Sequence, residues 1–157
     1  MTIIRAIITG ITEGAARLFA ATGRSGETFA DRELLQHYGF ASSPKDGAAG
    51  IVLVKDNQVF LVASDDARYR VALERGEVAL YTDEGDRFHF KRGRKVELTA
   101  GVSVTVTAPQ IVFNGDLRVA GDVSDGAGSM AAMRDKYNQH THTDPQGGAT
   151  GPAAPGM

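Results

Sequence analysis

The chain has 157 residues, which suits one domain or two small ones. It contains no cysteine, which excludes a disulfide framework and a thiolate metal site. Its formal net charge of −2 gives no electrostatic support for a nucleic-acid partner, so we expect none.

The first segment favours a small β-barrel or sandwich. The run IIRAIIT, residues 3–9, is rich in β-branched residues and predicts a strand. Arg5 interrupts this apolar run, so we expect no signal peptide, and no run approaches the roughly 20 apolar residues of a membrane-spanning helix. The segment TFADRELLQHYGF, residues 28–40, predicts a loop or a short irregular segment. In IVLVKDNQVFLVA, residues 51–63, two apolar runs flank polar residues 55–58, which predicts a hairpin.

From residue 68 onward, short apolar runs alternate with polar or glycine-containing turns. The predicted strands are YRVAL, VALYT, RFHFK, VELTA, VSVTVTA, IVFNG and LRVAG, which lie between residues 69 and 121. Regular short strands of this kind are typical of a sandwich, a barrel or a β-helix.

The alternation within these runs predicts one aliphatic face, because strand side chains change faces with period two. The even-numbered aliphatic residues are Val96, Leu98, Val102, Val104 and Val106. After Pro109 the phase becomes odd, which predicts a bend near Ala108 and Pro109. Phe113 is the one aromatic residue between Glu97 and Val123. Such thin strands cannot close a thick core alone, so we expect a core shared among identical chains.

The C-terminal segment combines a possible helix with a glycine- and proline-rich tail. Met130, Met133 and Tyr137 have helical spacing, which fits a short helix capped near Ser129 or an extended strap. The tail TDPQGGATGPAAPGM, residues 143–157, is predicted to be disordered or to wrap on other chains.

His140 and His142 lie two residues apart, so an extended backbone would direct both imidazoles to one side. Imidazole binds zinc, copper, iron and nickel, but two ligands make a poor site and Asp144 is a candidate third. Three chains around an axis would supply six nitrogens, which suit octahedral iron(II) or nickel(II) in a closed, structural site. The alternative is a pair of surface histidines in a flexible end.

The sequence contains no recognisable catalytic set, and we predict that the protein is not an enzyme. GxSxG, Walker A and HExxH patterns are absent. His89 shares a predicted strand face with Arg87 and Lys91, which indicates a solvated face.

Three segments together resemble a known family. They are HYGFASSPKDGAAGIVLV, RYRVALERGEVALYTDEGDRFHFKRG and GSMAAMRDKYNQHTHTDPQGGATGPAAPGM. They are similar to the phage baseplate assembly protein V family, and more narrowly to the Mu-like central spike of contractile-tailed phages. The resemblance implies a homotrimer with an N-terminal OB-fold, an intertwined triple-stranded β-helix and a pointed apex.

The resemblance also implies a cofactor. The HxH pairs of three chains, His140 and His142 here, would bind one iron ion per trimer through six nitrogens. Calcium and chloride ions on the trimer axis are further expectations, with Asp122 and Asp125 as candidate ligands.

On this basis we expect an all-β fold with three parts. They are an OB-fold-like domain over residues 1–68, a trimeric β-helix over 69–125 and a metal-bound apex over 126–157. Because few clear strands precede Ser43, part of the first domain is predicted to be irregular or to depend on neighbouring chains.

The implied function is mechanical: a spike in the tail baseplate of the virion that pierces the host outer membrane. It would be made in the host cytoplasm and would contact other baseplate and tail-tube proteins. The alternatives are a metal-dependent or carbohydrate-binding tail enzyme, or the tip of a related bacteriocin or secretion machine.

Overall fold

The computed structural model describes residues 1–152, so the prediction for the last five residues of the tail lies outside the described residues. The described chain is nearly all β, as predicted, and divides into residues 1–105 and the residues from 106 onward. Its elements are β1 Thr2–Thr12, β2 Leu18–Thr22, β3 Thr28–Leu34, β4 Ala49–Lys55, β5 Gln58–Asp65, β6 Val78–Tyr81, β7 Arg87–Lys91, β8 Lys95–Thr99 and α1 Met130–Gln139.

Strands β1 to β5 form a closed barrel in the order β1-β2-β3-β5-β4, with β4 pairing back onto β1. The β3–β5 pair is parallel and the other pairs are antiparallel. A closed five-stranded barrel is the architecture expected of an OB-fold-like domain. The predicted hairpin is confirmed by β4 and β5, which join at a turn where Asp56 adopts a φ of 54°.

The prediction of an irregular segment over residues 28–40 is wrong for its first half, which forms β3. The reason is the polarity of this strand: Asp31, Arg32 and Glu33 are exposed, and only Phe29 and Leu34 turn toward the interior. Phe29 and Leu34 lie an odd number of residues apart, and a bulge at Asp31, with a φ of 52°, lets both turn inward, so the strand lacks the regular alternation that reveals strands in a sequence. The barrel closes within one chain, and the predicted dependence on neighbouring chains stays a prediction.

The barrel encloses a small apolar core. Alternate residues of β1 point inward, where Ile4, Ala6 and Ile8 are at most 4% exposed, whereas Ile3 on the outer face is 59% exposed. The buried set is Ile4, Ala6, Ile8, Phe19, Ala21, Leu34, Ala48, Val52 and Leu61.

Strands β6, β7 and β8 form a separate antiparallel sheet with one apolar face. The pairing aligns two cross-strand rows, because Phe90 faces Val78 and Val96 while Phe88 faces Leu80 and Leu98. All six side chains point to the same side, since strand residues two apart share a face. They are between 37% and 59% exposed in the single chain. We call this set the sheet face: Val78, Leu80, Phe88, Phe90, Val96 and Leu98.

On the opposite side of the sheet, His89 is buried, so the prediction that it lies on a solvated face is wrong. Its side chain is 7% exposed, and Nε2 lies 3.0 Å from Oε2 of Glu77, which is 6% exposed. The backbone N–H of Arg92 donates to Oε1 of Glu77 at 2.9 Å. His89 does share a face with Arg87 and Lys91, but the turn that ends at Glu77 covers the middle of that face, which the sequence pattern could not indicate.

The strands predicted over residues 69–73 and 100–123 do not form in this chain. YRVAL, residues 69–73, contains no strand, because Asp65 pairs with Arg70 and Asp66 pairs with Arg68 in a turn that follows β5. Residues 100–123 form no ladder within one chain, and their large apolar side chains are exposed, from 40% at Val123 to 99% at Val102. The intertwined β-helix therefore stays a prediction that concerns several chains.

Candidate metal centre

The helix α1 carries the chain to the histidine pair. It begins after Ser129, whose Oγ accepts a hydrogen bond from the N–H of Ala132 at 3.1 Å. This N-cap satisfies one of the amide groups that a helix start leaves without a partner. The predicted helix is confirmed and the extended strap is wrong. Within the described residues, no helix is long and apolar enough to span a membrane.

The two aspartates that are candidate calcium ligands accept backbone hydrogen bonds in the segment that leads into this helix and in its first turn. Asp122 accepts hydrogen bonds from the N–H groups of Val123 and Ala131 at 2.8 and 3.2 Å. The Ser129 hydroxyl, and then these amides, hold the pKa of Asp122 below its usual value. Asp125 accepts from the N–H groups of residues 127 and 128, which lower the pKa of its carboxyl in the same way. Their part in calcium binding stays a prediction.

The helix ends at Gln139, and His140 has left the helical conformation, with φ −68° and ψ 143°. Its Nδ1 is hydrogen-bonded to the carbonyl oxygen of Tyr137, one of the last carbonyl groups of the helix. Because a carbonyl can only accept, Nδ1 carries the proton in this contact. The lone pair of the neutral ring is then on Nε2, the tautomer in which a histidine binds a metal while its other nitrogen is held by the protein.

His142 lies beside His140, as the spacing predicts. The two ring centroids are 5.0 Å apart and the ring planes meet at 87°. The tilted ring of Tyr137, 5.1 Å from that of His140, completes an aromatic group at the end of the helix.

Asp144 does not join the pair as a third ligand. Its Oδ1 accepts hydrogen bonds from the N–H groups of Gln146 and Gly148, at 2.8 and 2.9 Å. The carboxylate thus folds a turn over residues 144–148. Over residues 1–152, no three His, Cys, Asp or Glu side chains lie close enough together to hold a metal ion.

The donor set nevertheless fits the chemistry of a shared metal. Two neutral imidazoles suit iron, nickel, copper or zinc, but one chain supplies only two of the four to six ligands that these metals take. Further copies of the chain could add the missing imidazoles.

Thr150 is the residue that sequence reasoning missed. The backbone N–H of His142 donates to its Oγ1 at 2.9 Å, and the N–H of Thr150 donates to the carbonyl oxygen of His142 at 2.8 Å. Residues 143 and 149 form an antiparallel bridge inside this contact, so the predicted disorder is wrong for residues 143–150. The signal was the sequence DPQGG, which combines Asp-Pro with two glycines and is typical of a turn.

Comparisons with known proteins relate this chain to phage baseplate proteins. Residues 5–68, which span most of the barrel, match the family described as Bacteriophage Mu Gp45, N-terminal. The chain is also 29% identical over 174 residues to the "Baseplate puncturing device gp45" of Escherichia phage Mu. That similarity covers 94% of this chain and 86% of the phage Mu protein, so it extends well beyond the barrel.

Proposed function

We propose that this chain, which is similar to the baseplate puncturing device of phage Mu, is a structural component that forms the central spike of a contractile phage tail. In this proposal it acts in the tail baseplate of the virion, next to other baseplate and tail-tube proteins. Contraction of the tail sheath drives it through the host outer membrane. The name of the phage Mu relative, a puncturing device, supports this role, and we propose no catalytic one.

The observation that carries the proposal is the uncovered sheet face. Six large apolar side chains on one side of a three-stranded sheet remain 37–59% exposed in a single chain. Contiguous apolar patches of this kind mark interaction sites on soluble proteins. Identical copies meeting around an axis would bury the sheet face of every chain, so we propose a homotrimer.

Residues 102–123, which follow the sheet, also leave their aliphatic side chains exposed in a single chain. Between residues 102 and 123, the aliphatic side chains are at least 40% exposed, and the backbone forms no ladder within the chain. Backbone amide and carbonyl groups that leave water must find hydrogen-bond partners. Strands from other copies would supply both the partners and the apolar cover, which is the arrangement of the expected triple-stranded β-helix.

The histidine pair gives this trimer its tip. We propose that His140 and His142 of three chains hold one iron ion through six nitrogens, with Nε2 as the His140 ligand. A metal with six protein ligands has no open position for a substrate, so its role would be structural: it would join three chains at the histidine pairs. Calcium or chloride ions along the axis are a further part of the proposal.

The double variant His140→Ala with His142→Ala tests this division of labour. The proposal predicts that native mass spectrometry still finds three chains, whereas elemental analysis finds the tip metal lost. His37→Ala removes an exposed histidine far from the pair in sequence and should leave both measurements unchanged. Retention of the metal in the double variant would place the ion elsewhere, and dissociation into monomers would show that the sheet face does not hold the trimer.

A further inference from the structure

The ordered turn after the histidine pair contacts His142 and suggests a role in metal binding. We propose that Thr150 and Asp144 are positioning residues that hold His142 beside His140 for metal binding. This inference rests on the proposed metal tip, but it concerns residues that would not touch the metal.

Thr150 fixes the backbone of His142 from both sides. It accepts the hydrogen bond of the His142 N–H through Oγ1 at 2.9 Å, and it donates its own N–H to the His142 carbonyl at 2.8 Å. With both backbone polar groups of His142 paired to one residue, the Cα–Cβ bond of the histidine has a fixed direction. The adjacent bridge between Thr143 and Ala149 closes the same small hairpin.

Asp144 fixes the turn that brings Thr150 back to His142. One oxygen of its carboxylate accepts hydrogen bonds from two amides, those of Gln146 and Gly148. Its backbone N–H donates to the carbonyl of Gly148 at 2.7 Å. Gly147 has a φ of +84°, which favours glycine, and a Cβ on Gly148 would lie 2.5 Å from the Asp144 carboxylate, so a larger residue there would displace that carboxylate.

His140 and His142 are therefore held by different structures. The ring of His140 is held by the last turn of α1 through the Tyr137 carbonyl, while the backbone of His142 is held by the hairpin. Groups that orient metal-binding histidines typically contribute about 10–100-fold to metal affinity.

The test measures how fast the iron-loaded full-length protein loses its metal to a chelator in four variants. Thr150→Val removes the hydroxyl and keeps the shape, whereas Thr150→Ser keeps the hydroxyl. Asp144→Ala removes the acceptor, whereas Asp144→Asn keeps a carbonyl oxygen that can accept from both amides. We expect metal loss to be about 10-fold faster or more in Thr150→Val and Asp144→Ala, and near wild type in Thr150→Ser and Asp144→Asn.

Metal-free protein provides the second measurement. Thermal unfolding of all four stripped variants should match that of stripped wild type, since the proposed effect acts on the tip. Wild-type release rates in Thr150→Val and Asp144→Ala would overturn the inference. Rapid loss in Asp144→Asn would also overturn it for Asp144, because it would mean that the charge itself, as in a ligand, is required. Failure of the proposed tip would appear differently, as metal retained after both histidines are replaced.

Discussion

Replacing Leu98 by aspartate should weaken the trimer far more than the same change at the next residue. Leu98 belongs to the sheet face and is 59% exposed in one chain, so more than half of its surface is available for burial between chains. Thr99 points to the other side of the same strand, opposite Arg87. Thr99→Asp therefore introduces the same charge into the same strand without placing it on the sheet face.

The expected loss of trimer stability follows from the part of the Leu98 side chain that is exposed in one chain and would be buried between chains. Complete burial of a leucine side chain stabilises by about 1.5–3 kcal/mol, so the remaining share at Leu98 is about 1–2 kcal/mol per chain. Three chains lose about 3–6 kcal/mol, which lowers the trimer association constant by about 10²–10⁴-fold. An unpaired carboxylate between apolar surfaces adds a desolvation cost to this loss.

The assay is sedimentation of both variants over a dilution series, with circular dichroism to confirm that the dissociated chains keep their β structure. Leu98→Asp should dissociate at a chain concentration at which Thr99→Asp and wild type remain trimeric. If Leu98→Asp and Thr99→Asp dissociate at the same concentration, the sheet face is not the contact between chains.

Two further predictions concern the stability of the single chain. Gly50→Ala should destabilise the barrel by about 1–3 kcal/mol, because the new Cβ would lie 2.5 Å from a buried methyl group of Leu61. Urea unfolding measures this loss. Gly10→Ala is the control, because its Cβ would have no neighbouring atom within 4 Å. The amides of Arg92 and Glu74 and then the His89 ring hold the pKa of Glu77 below its usual value of 4.5. The lowered pKa stabilises the fold above pH 4.5, and this contribution is lost as pH falls through the folded pKa. The difference in unfolding free energy between wild type and Glu77→Gln should therefore shrink between about pH 7 and about pH 3, and a constant difference would show that the Glu77 charge does not contribute.

The sequence predicts elements whose inner and outer faces differ in polarity. The hairpin over residues 51–63 has two apolar runs around a polar turn, and the chain folds as that pattern indicates. Strand β3 was missed because its central residues are charged and its inward face is minimal. His89 was misplaced because a period-two pattern gives the face of a residue, whereas burial depends on what covers that face, here the turn that ends at Glu77.

The proximity of the two histidines was predictable from the sequence, whereas the hydrogen bonds that support them were not. The spacing of His140 and His142 is enough to bring two imidazoles together in an extended segment, and the rings do lie side by side. Thr150 could not be identified in the same way, since its role depends on a turn that reverses the chain over residues 144–148. The proposed contacts between copies cannot be located from a pattern within one chain, although the sparse aliphatic runs led us to predict a shared core.

Anomalous diffraction at the iron absorption edge, from crystals of the full-length protein, addresses the central claim most directly. We predict one anomalous peak on a threefold axis, in contact with His140 and His142 of three chains. Histidine pairs that lie apart without a shared peak, or a separate peak on each chain, would contradict the account.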